Sequence, residues 1–337
     1  MNKLHNHHTL SFEEAYKLQS NILQGQATEE ELLGIFRAMD RPPTAEELLG
    51  FFTASKEHMV SVKTAVETLD TCGTGGDGLQ TFNISTAAAI VCASLGVPVA
   101  KHGNRSSSSK CGSADVLEVL GVNIELGPEA VASCIFQTGI GFIFAPMFHP
   151  AFRYAGLARK AFGKRTYFNY LGPLLNPANA EYRVLGVSNV EMVPLIGSVL
   201  INTGVKRAWV FCSEEGMDEI SVCGKTHVTE FIPGHMPREF VIDAKDLSVQ
   251  RFTVQDLRGG DSQDNALIIQ NILSGRGRPA HTLAVALNAA AGLVVYGKAK
   301  DLPEALSIVM ETFKTGSAIH KLNELIQFSR KVDHVKA

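Results

Sequence analysis

Polar and apolar residues recur at helical spacing through the first 61 residues of the chain, and nothing in this region alternates as a strand does. Three capping boxes, each a Ser or Thr followed three residues later by Glu, begin at Ser11, Thr28 and Thr44. Apolar residues such as Leu32 and Phe36 follow at positions that share one helix face. The pattern predicts three helices in a small domain that packs on the rest of the chain or on a second copy.

From Val66 onward, short apolar runs alternate with helical segments. The runs at 97–100, 141–145, 184–187 and 207–212 are β-branched or aromatic and bounded by Gly or Pro, which predicts buried strands. Antiparallel or edge strands are expected after Ser221, and helices are expected at 85–95, 114–120, 128–137, 190–202, 279–296, 303–315 and 317–328.

This alternation predicts the α/β class, with a small N-terminal helical domain and a large domain whose mostly parallel central sheet is flanked by helices. The expected boundaries are 1–66 for the helical domain and 67–337 for the α/β domain. Part of 157–182 is expected to join the helical domain in space.

Composition and charge narrow the class of protein. The 337 residues carry a net charge of -3 with acids and bases mixed, so neither a nucleic-acid nor an anionic membrane surface is expected. No apolar run reaches the ~20 residues that span a bilayer, and the N-terminus lacks the apolar core of a signal peptide. Six scattered cysteines show no C-x-x-C spacing, which favours a reduced, cytoplasmic protein. The HNHH run at 5–8 is not expected to be a physiological metal site.

The stretch CGTGGDG at 72–78 matches the dinucleotide pattern G-x-G-x-x-G at Gly73, Gly75 and Gly78. In a dinucleotide site this turn leads directly into a helix, and an acid follows about 20 residues later. Here the best helix start is Asn83, and no Asp or Glu occurs between Gly78 and Ala114. The glycine loop is therefore expected to serve a different phosphate.

Three elements of this acid-free interval can each hold a multiply charged anion. The glycine loop can turn its amides inward, and the helix start near Ser85 offers free amides and a favourable dipole. Lys101 follows a predicted strand, and a run of hydroxyl side chains follows it. After the strand RAWVFC, the adjacent acids Asp218 and Glu219 are placed to hold Mg2+, which takes one or two carboxylates plus substrate phosphates.

Motifs distributed in order along nearly the whole chain resemble those of the anthranilate phosphoribosyltransferase family. They are GTGGDG, FNIST, KHGN with KCGSADVLE, HPAFRYAGLARKAFGKRT, NYLGPLLNP and GMDEIS. The resemblance implies the nucleoside phosphorylase and phosphoribosyltransferase type of fold. It also implies transfer of a phosphoribosyl group from 5-phosphoribosyl 1-diphosphate to anthranilate in tryptophan biosynthesis, with Mg2+, expected as two ions per subunit, and a homodimer formed through the helical domain.

The resemblance also implies the residues of the site. Those expected at the donor are Gly73, Gly76, Asp77, Thr81, Asn83, Ile84, Ser85, Thr86, Lys101, His102, Gly103, Asn104, Arg105, Ser106, Ser107, Ser108, Ser109 and Ser113. Gly73, Asn104 and Arg159 are expected at anthranilate, with the planar guanidinium of Arg159 on its carboxylate. Asp218, Glu219 and the Ser85 hydroxyl are the expected metal ligands. No general base is assigned.

One departure from the family pattern affects the donor loop. Ser106 and Ser107 stand where the family usually has a small apolar pair. Two alternative functions remain open from the sequence: a pyrimidine nucleoside phosphorylase of the same fold, and a non-catalytic relative that binds nucleic acid.

Overall fold

The computed structural model describes residues 9–106, 110–247 and 252–333. The first helices are α1 (Phe12–Leu23), α2 (Glu29–Ala38) and α3 (Ala45–Glu57), and each begins at one of the three predicted capping boxes. In the second box, Thr28 donates its amide to Glu31 Oε2 at 2.8 Å, and the Glu31 amide donates to Thr28 Oγ1 at 3.3 Å. The three predicted helices are thus confirmed, because the caps satisfy amides that a helix start leaves free.

Two later helices pack against this group. They are α8 (Arg153–Phe162) and α9 (Phe168–Leu174), and α9 contains Pro173. The Tyr167 ring stacks on Phe51 of α3 with centroids 4.1 Å apart, and its hydroxyl donates to Gln19 Oε1 of α1 at 2.9 Å. Buried residues of α1–α3, α8 and α9 form one apolar core with residues on one face of the central sheet, which include Leu185, Val210 and Phe231.

A seven-stranded sheet forms the centre of the molecule, in the order β3-β2-β1-β4-β5-β6-β7. The first five strands are parallel and the last two pairings are antiparallel. The strands are β1 (Leu69–Gly73), β2 (Val99–Gly103), β3 (Ile140–Phe144), β4 (Tyr182–Gly186), β5 (Arg207–Ser213), β6 (Lys225–Phe231) and β7 (Arg238–Asp243). The predicted α/β class with a mostly parallel sheet is confirmed.

Helices cover this sheet. They are α4 (Ile84–Ser94), α5 (Ser113–Leu120), α6 (Pro128–Thr138), α7 (Ala145–Phe148), α10 (Met192–Leu200), α11 (Ser262–Leu273), α12 (Pro279–Tyr296), α13 (Leu302–Thr315) and α14 (Ser317–Asp333). Small residues let α4 and α12 approach closely, and a Cβ at Gly292 would lie only 2.7 Å from Cys92 Sγ. Among the described residues, α12 alone has the length and hydropathy of a membrane span. Since 78% of that span is buried inside the molecule, it is the central core helix.

One local prediction is wrong and matters for the site. Lys101 was expected to follow a strand that ends at residue 100, but Lys101, His102 and Gly103 are the last three residues of β2. They continue the ladder with β3, where Lys101 pairs with Phe142. The pairing overrides the polar character of the segment and buries Lys101, which is 4% exposed.

Candidate active site

The site lies where the chain order reverses in the sheet. From β1 the chain continues to β2 and β3 on one side, whereas β4 and β5 lie on the other. Ligands of open α/β sheets bind at this point, beyond the carboxyl ends of the strands. The last residues of β1 and β4, Gly73 and Gly186, are register partners. A Cβ at either would overlap Asp218, so the two glycines create the space in which Asp218 lies.

The glycine loop bends back over this acid. The Gly75 amide donates to Asp218 Oδ2 at 2.6 Å. Gly75, Gly76 and Gly78 all have positive φ, a conformation that glycine adopts at little cost. Arg165 holds the loop from outside, because its guanidinium donates to the Gly75 carbonyl and, at 3.0 Å, to Ser188 Oγ.

Three carboxylates lie close enough to interact electrostatically: Asp77 of the glycine loop, Asp218 and Glu219. Burial, followed by the charge of Asp77, raises the pKa of Asp218 to about 6. Burial and the charge of Asp218 raise the pKa of Glu219 well above its usual value. The Glu219 Oε1 accepts the Ser85 amide at 3.0 Å, which brings together the three residues predicted as metal ligands.

This arrangement fits a divalent cation. Half-buried acids that repel one another are stabilised in their charged form by added positive charge, and hard oxygen donors suit Mg2+. Among the described residues, no group of three or more His, Cys, Asp or Glu side chains is spaced as a complete metal cage. Asp218, Glu219 and the Ser85 hydroxyl could therefore hold Mg2+ only with waters or substrate oxygens as its other ligands.

The helix start predicted at Asn83 is correct, since Asn83 is the N-cap of α4. Its side chain does not cap the helix: Asn83 Nδ2 donates to the Cys111 carbonyl at 3.2 Å, and Asn83 Oδ1 accepts from Asn265 at 3.0 Å. Ile84 and Thr86 are both buried. Thr81 lies in the preceding turn, in a β-bridge with Arg258.

Lys101 lies under the acids. Its ammonium donates to the Thr71 carbonyl at 2.7 Å, and its charge favours ionisation of Glu219. The following residues turn outward. Gly103 is packed so closely that a Cβ would overlap Ser113 Oγ, and Ser113 Oγ donates to the Asn104 carbonyl at 3.3 Å.

The interval 78–114 contains no acid in sequence, but in the structure Arg105 of this interval contacts two acids. Its guanidinium pairs with Asp115 at 3.1 Å and with Glu118 at 2.8 Å, both on α5 just beyond the interval. The Ser106 amide also donates to Asp115, at 3.0 Å. The Arg105 guanidinium therefore contacts the acids of α5, and the structure shows no ion pair between it and Asp218 or Glu219. Ser107, Ser108 and Ser109 lie outside the described residues.

A cavity that we call the aromatic cavity is also lined by Gly73. It has a volume of about 410 Å³ and brings together Gly73, Asn104 and Arg159, the three residues predicted for the acceptor. It is also lined by Thr74, His102, Ala145, Pro146, His149, Phe152, Arg153, Phe168, Asn169, Gly172, Pro173 and Leu175. Gly73 is thus shared between the acids and this cavity.

Arg159 is the cation best placed in this cavity. Its guanidinium lies 5.0 Å from the centroid of the Phe168 ring, and burial lowers its pKa. In the described part of the chain, no carboxylate forms an ion pair with it. A guanidinium stays protonated at neutral pH, so this partly buried charge is available for a ligand carboxylate.

The two histidines of the cavity are neutral. Burial lowers the pKa of His102 well below its usual value, and burial lowers the pKa of His149 to about 4. Their rings meet edge to face with centroids 5.1 Å apart. His102 Nε2 and His149 Nδ1 are buried and have no hydrogen-bond partner within the described ranges. Neutral imidazoles provide polar contacts without a competing positive charge beside Arg159.

Sequence reasoning missed several residues of the site. A glycine inside a strand signals close approach of another chain segment, and this signal could have identified Gly186. Arg165, His149 and Phe168 carry no local signal, because their roles depend on how α8 and α9 pack beside β1.

The comparisons with known proteins agree with this geometry. Residues 65–319 match the family described as "Glycosyl transferase family, a/b domain". The anthranilate phosphoribosyltransferase of Desulforamulus reducens is 44% identical over 95% of this chain and 93% of its own length. The Thermus thermophilus anthranilate phosphoribosyltransferase structure superposes with a TM-score of 0.90 at 36% identity, covering 96% of this chain and 97% of that one.

A more distant structure shares the fold. It is the anthranilate phosphoribosyltransferase of Saccharomyces cerevisiae in complex with PRPP and Mg, with a TM-score of 0.88 at 24% identity over 96% of this chain and 94% of that one. The family resemblance noted from the motifs is confirmed by the family model and by the closer relatives, each matched over most of the chain. The chain therefore belongs to the anthranilate phosphoribosyltransferases.

Proposed function

We propose that this chain transfers the phosphoribosyl group of 5-phosphoribosyl 1-diphosphate to the amine of anthranilate, giving N-(5-phosphoribosyl)anthranilate and diphosphate in tryptophan biosynthesis. The observation that carries the proposal is that one residue, Gly73, adjoins two chemically different environments. Gly73 is packed against Asp218, and it also lines the aromatic cavity together with Arg159, which forms no ion pair within the described residues. A phosphorylated donor and an aromatic carboxylate would meet at this point.

The donor half of the site holds the phosphates and the metal. Asp218, Glu219 and the Ser85 hydroxyl would hold Mg2+, with two ions per subunit as the proposed number. Bound there, Mg2+ supplies positive charge to the departing diphosphate. Gly75 keeps Asp218 in place, and the positive φ values of the glycine loop leave its backbone open to close approach by phosphate. The other predicted donor residues, including Gly76, Asp77 and Thr81, are proposed to line this half.

The acceptor half orients anthranilate. Arg159 would bind the carboxylate through its planar fork, while Asn104 and Gly73 would position the amine towards the donor carbon. The amine of an aromatic ring is neutral at pH 7 and has a lone pair to donate, so positioning contributes more than proton removal before the attack. His102 is buried and its pKa lies well below the usual value, and it is not assigned the role of a general base.

Three features of the whole molecule are proposed from the sequence and from the family resemblance. The domain boundary lies between residues 66 and 67, with part of 157–182 joining the helical domain in space. Two copies associate through that domain. The enzyme works in the cytoplasm.

The reaction is tested by the fluorescence of anthranilate. Purified protein with Mg2+ and the phosphoribosyl donor should consume anthranilate, and the signal should decay only when all components are present. An unchanged signal with intact donor would refute the proposal. Phosphorolysis of thymidine or uridine without anthranilate turnover would instead support a pyrimidine nucleoside phosphorylase, and a salt-sensitive DNA mobility shift without transfer would support a nucleic-acid-binding relative.

A further inference from the structure

A further cavity is lined by residues 258–281, in the segment that contains α11 and the start of α12. We call it the arginine cleft. It has a volume of about 420 Å³ and shares no lining residue with the aromatic cavity. Its polar lining consists of Arg258, Asp264, Asn271, Arg276, Arg278 and His281.

The cleft carries positive charge that the protein does not neutralise. Arg258, Arg276 and Arg278 are exposed, and among the described residues none of them forms an ion pair. Other arginines of this chain behave differently: Arg105 pairs with two acids on α5, and Arg183 pairs with the buried Asp70 at 3.3 Å.

Among the described residues that line the cleft, Asp264 is the one acid, and it is already used in the fold. Its carboxylate accepts the Asp261 amide at 3.3 Å in the capping box of α11. The cleft therefore keeps an excess of positive charge.

We infer that the arginine cleft binds a small anion with several phosphate groups. Each guanidinium offers a planar fork that matches two phosphate oxygens, and three positive charges exceed the single charge of a carboxylate or the about −1.5 to −2 of one phosphate monoester. The cleft is a concavity of about 420 Å³ that is open to solvent, and this volume is of the size that small-molecule sites have.

The cleft is joined to the turn at residues 80–82 by main-chain hydrogen bonds. The Phe82 amide donates to the Leu257 carbonyl at 3.2 Å, and the Gly259 amide donates to the Gln80 carbonyl at 2.9 Å. The Arg258 guanidinium also reaches Gln80 Oε1 at 3.4 Å, and Gln80 holds an unusual positive φ of 55°. An anion that binds Arg258 would therefore act on the turn that carries Thr81, a residue proposed to line the donor site. The effect on the donor site through Thr81 rests on the proposed function, whereas the binding of the anion does not.

Hydrogen–deuterium exchange with inorganic triphosphate, without Mg2+, tests the binding. We expect slower exchange in peptides covering 258–260 and 271–282, together with a change at 80–82. In R276Q/R278Q the protection of the cleft should weaken, with an apparent affinity lower by about tenfold for each arginine removed. R37Q is the control, since Arg37 is an exposed arginine on α2. R258Q provides a second test in which the other two arginines remain.

Two results would overturn the inference: protection confined to the donor segments 73–86 and 101–106, or protection of the cleft that is unchanged in R276Q/R278Q. A midpoint of thermal unfolding equal to that of the wild type shows that a variant is folded. Because exchange is measured without turnover, the outcome is independent of whether the transfer reaction occurs.

Discussion

The Gly75 amide donates to Asp218 Oδ2 at 2.6 Å, and this hydrogen bond links the glycine loop to the acid that lies beneath it. The register pair Gly73 and Gly186 leaves the space that Asp218 occupies. The loop, the two strand ends and the acid therefore form one unit, in which a displaced carboxylate would also displace the loop.

The first prediction concerns the space at Gly73. In Gly73→Ala, the new Cβ would overlap Asp218 Oδ2 and push the carboxylate off the Gly75 amide. A displacement of about 1 Å can cost on the order of 100-fold in rate, so kcat/KM for transfer should fall by about that factor while the protein stays folded. Steady-state anthranilate fluorescence measures the rate, and circular dichroism checks the fold.

Gly34→Ala is the matched control, because a Cβ at Gly34 meets no described atom within 4 Å apart from its chain neighbours and the backbone of its own helix. It should leave the rate unchanged and favour α2, since alanine is the better helix former. Wild-type activity in Gly73→Ala would show that Asp218 need not stay where the loop holds it.

The second prediction concerns the metal. Asp218→Asn keeps the shape of the side chain but removes the charge proposed to bind Mg2+, so half-maximal activity should require at least about tenfold more Mg2+. A Mg2+ titration at saturating substrates measures this. Glu214→Gln is the control, because this exposed acid of the same loop accepts the Lys225 amide at 3.2 Å. Equal Mg2+ requirements for both variants would exclude Asp218 as a ligand.

The third prediction separates charge from geometry at Arg159. Arg159→Ala should raise KM for anthranilate by about 100-fold and leave KM for the phosphoribosyl donor nearly unchanged, since a charged hydrogen-bonding partner of the carboxylate is lost. Arg159→Lys keeps the charge without the planar fork and should recover only part of the loss. Similar increases in both KM values would place Arg159 outside the acceptor half.

The fold was largely predictable because its signals are local. Capping boxes at Ser11, Thr28 and Thr44 placed three helix starts correctly. By contrast, α9 was missed, because Gly172 and Pro173 make its sequence look like a loop. In the structure this segment is a helix, and its residues Phe168 and Leu171 are buried in the core shared with α1–α3. Packing of this kind has no local signature.

The candidate site was predictable in its residue types but not in its electrostatics. The motifs pointed to Arg105 and Arg159 alike as cations of the site. Only the structure shows that α5 pairs Arg105 with Asp115 and Glu118, whereas Arg159 has no acid beside it in the described chain. Whether a charge is neutralised depends on contacts between elements distant in sequence, and these contacts cannot be read from spacing along the chain.

The last prediction concerns the stability of the helical region and its pH dependence. The Glu47 side chain is fully buried, where it pairs with Arg41 at 2.6 Å and accepts the amides of Leu10 and Thr44 at 2.9 and 2.7 Å. Burial alone would raise the pKa of Glu47, but the hydrogen bonds from Arg41, Thr44 and Leu10 outweigh it and hold the pKa below its usual value. Since the folded-state pKa is the lower one, this stabilisation is present above about pH 4.3 and is lost as the pH falls through the folded-state value.

Glu47→Gln should therefore lower the free energy of unfolding by roughly 1–3 kcal/mol at pH 7, because it leaves buried donors without their charged acceptor. It should also make urea unfolding less sensitive to pH between about 3 and 5, the range in which carboxyl groups titrate. Glu46→Gln, at the exposed neighbouring position of α3, should change neither quantity appreciably. If both variants unfolded alike at every pH, the buried pair of Glu47 and Arg41 would contribute no more than an ordinary surface charge.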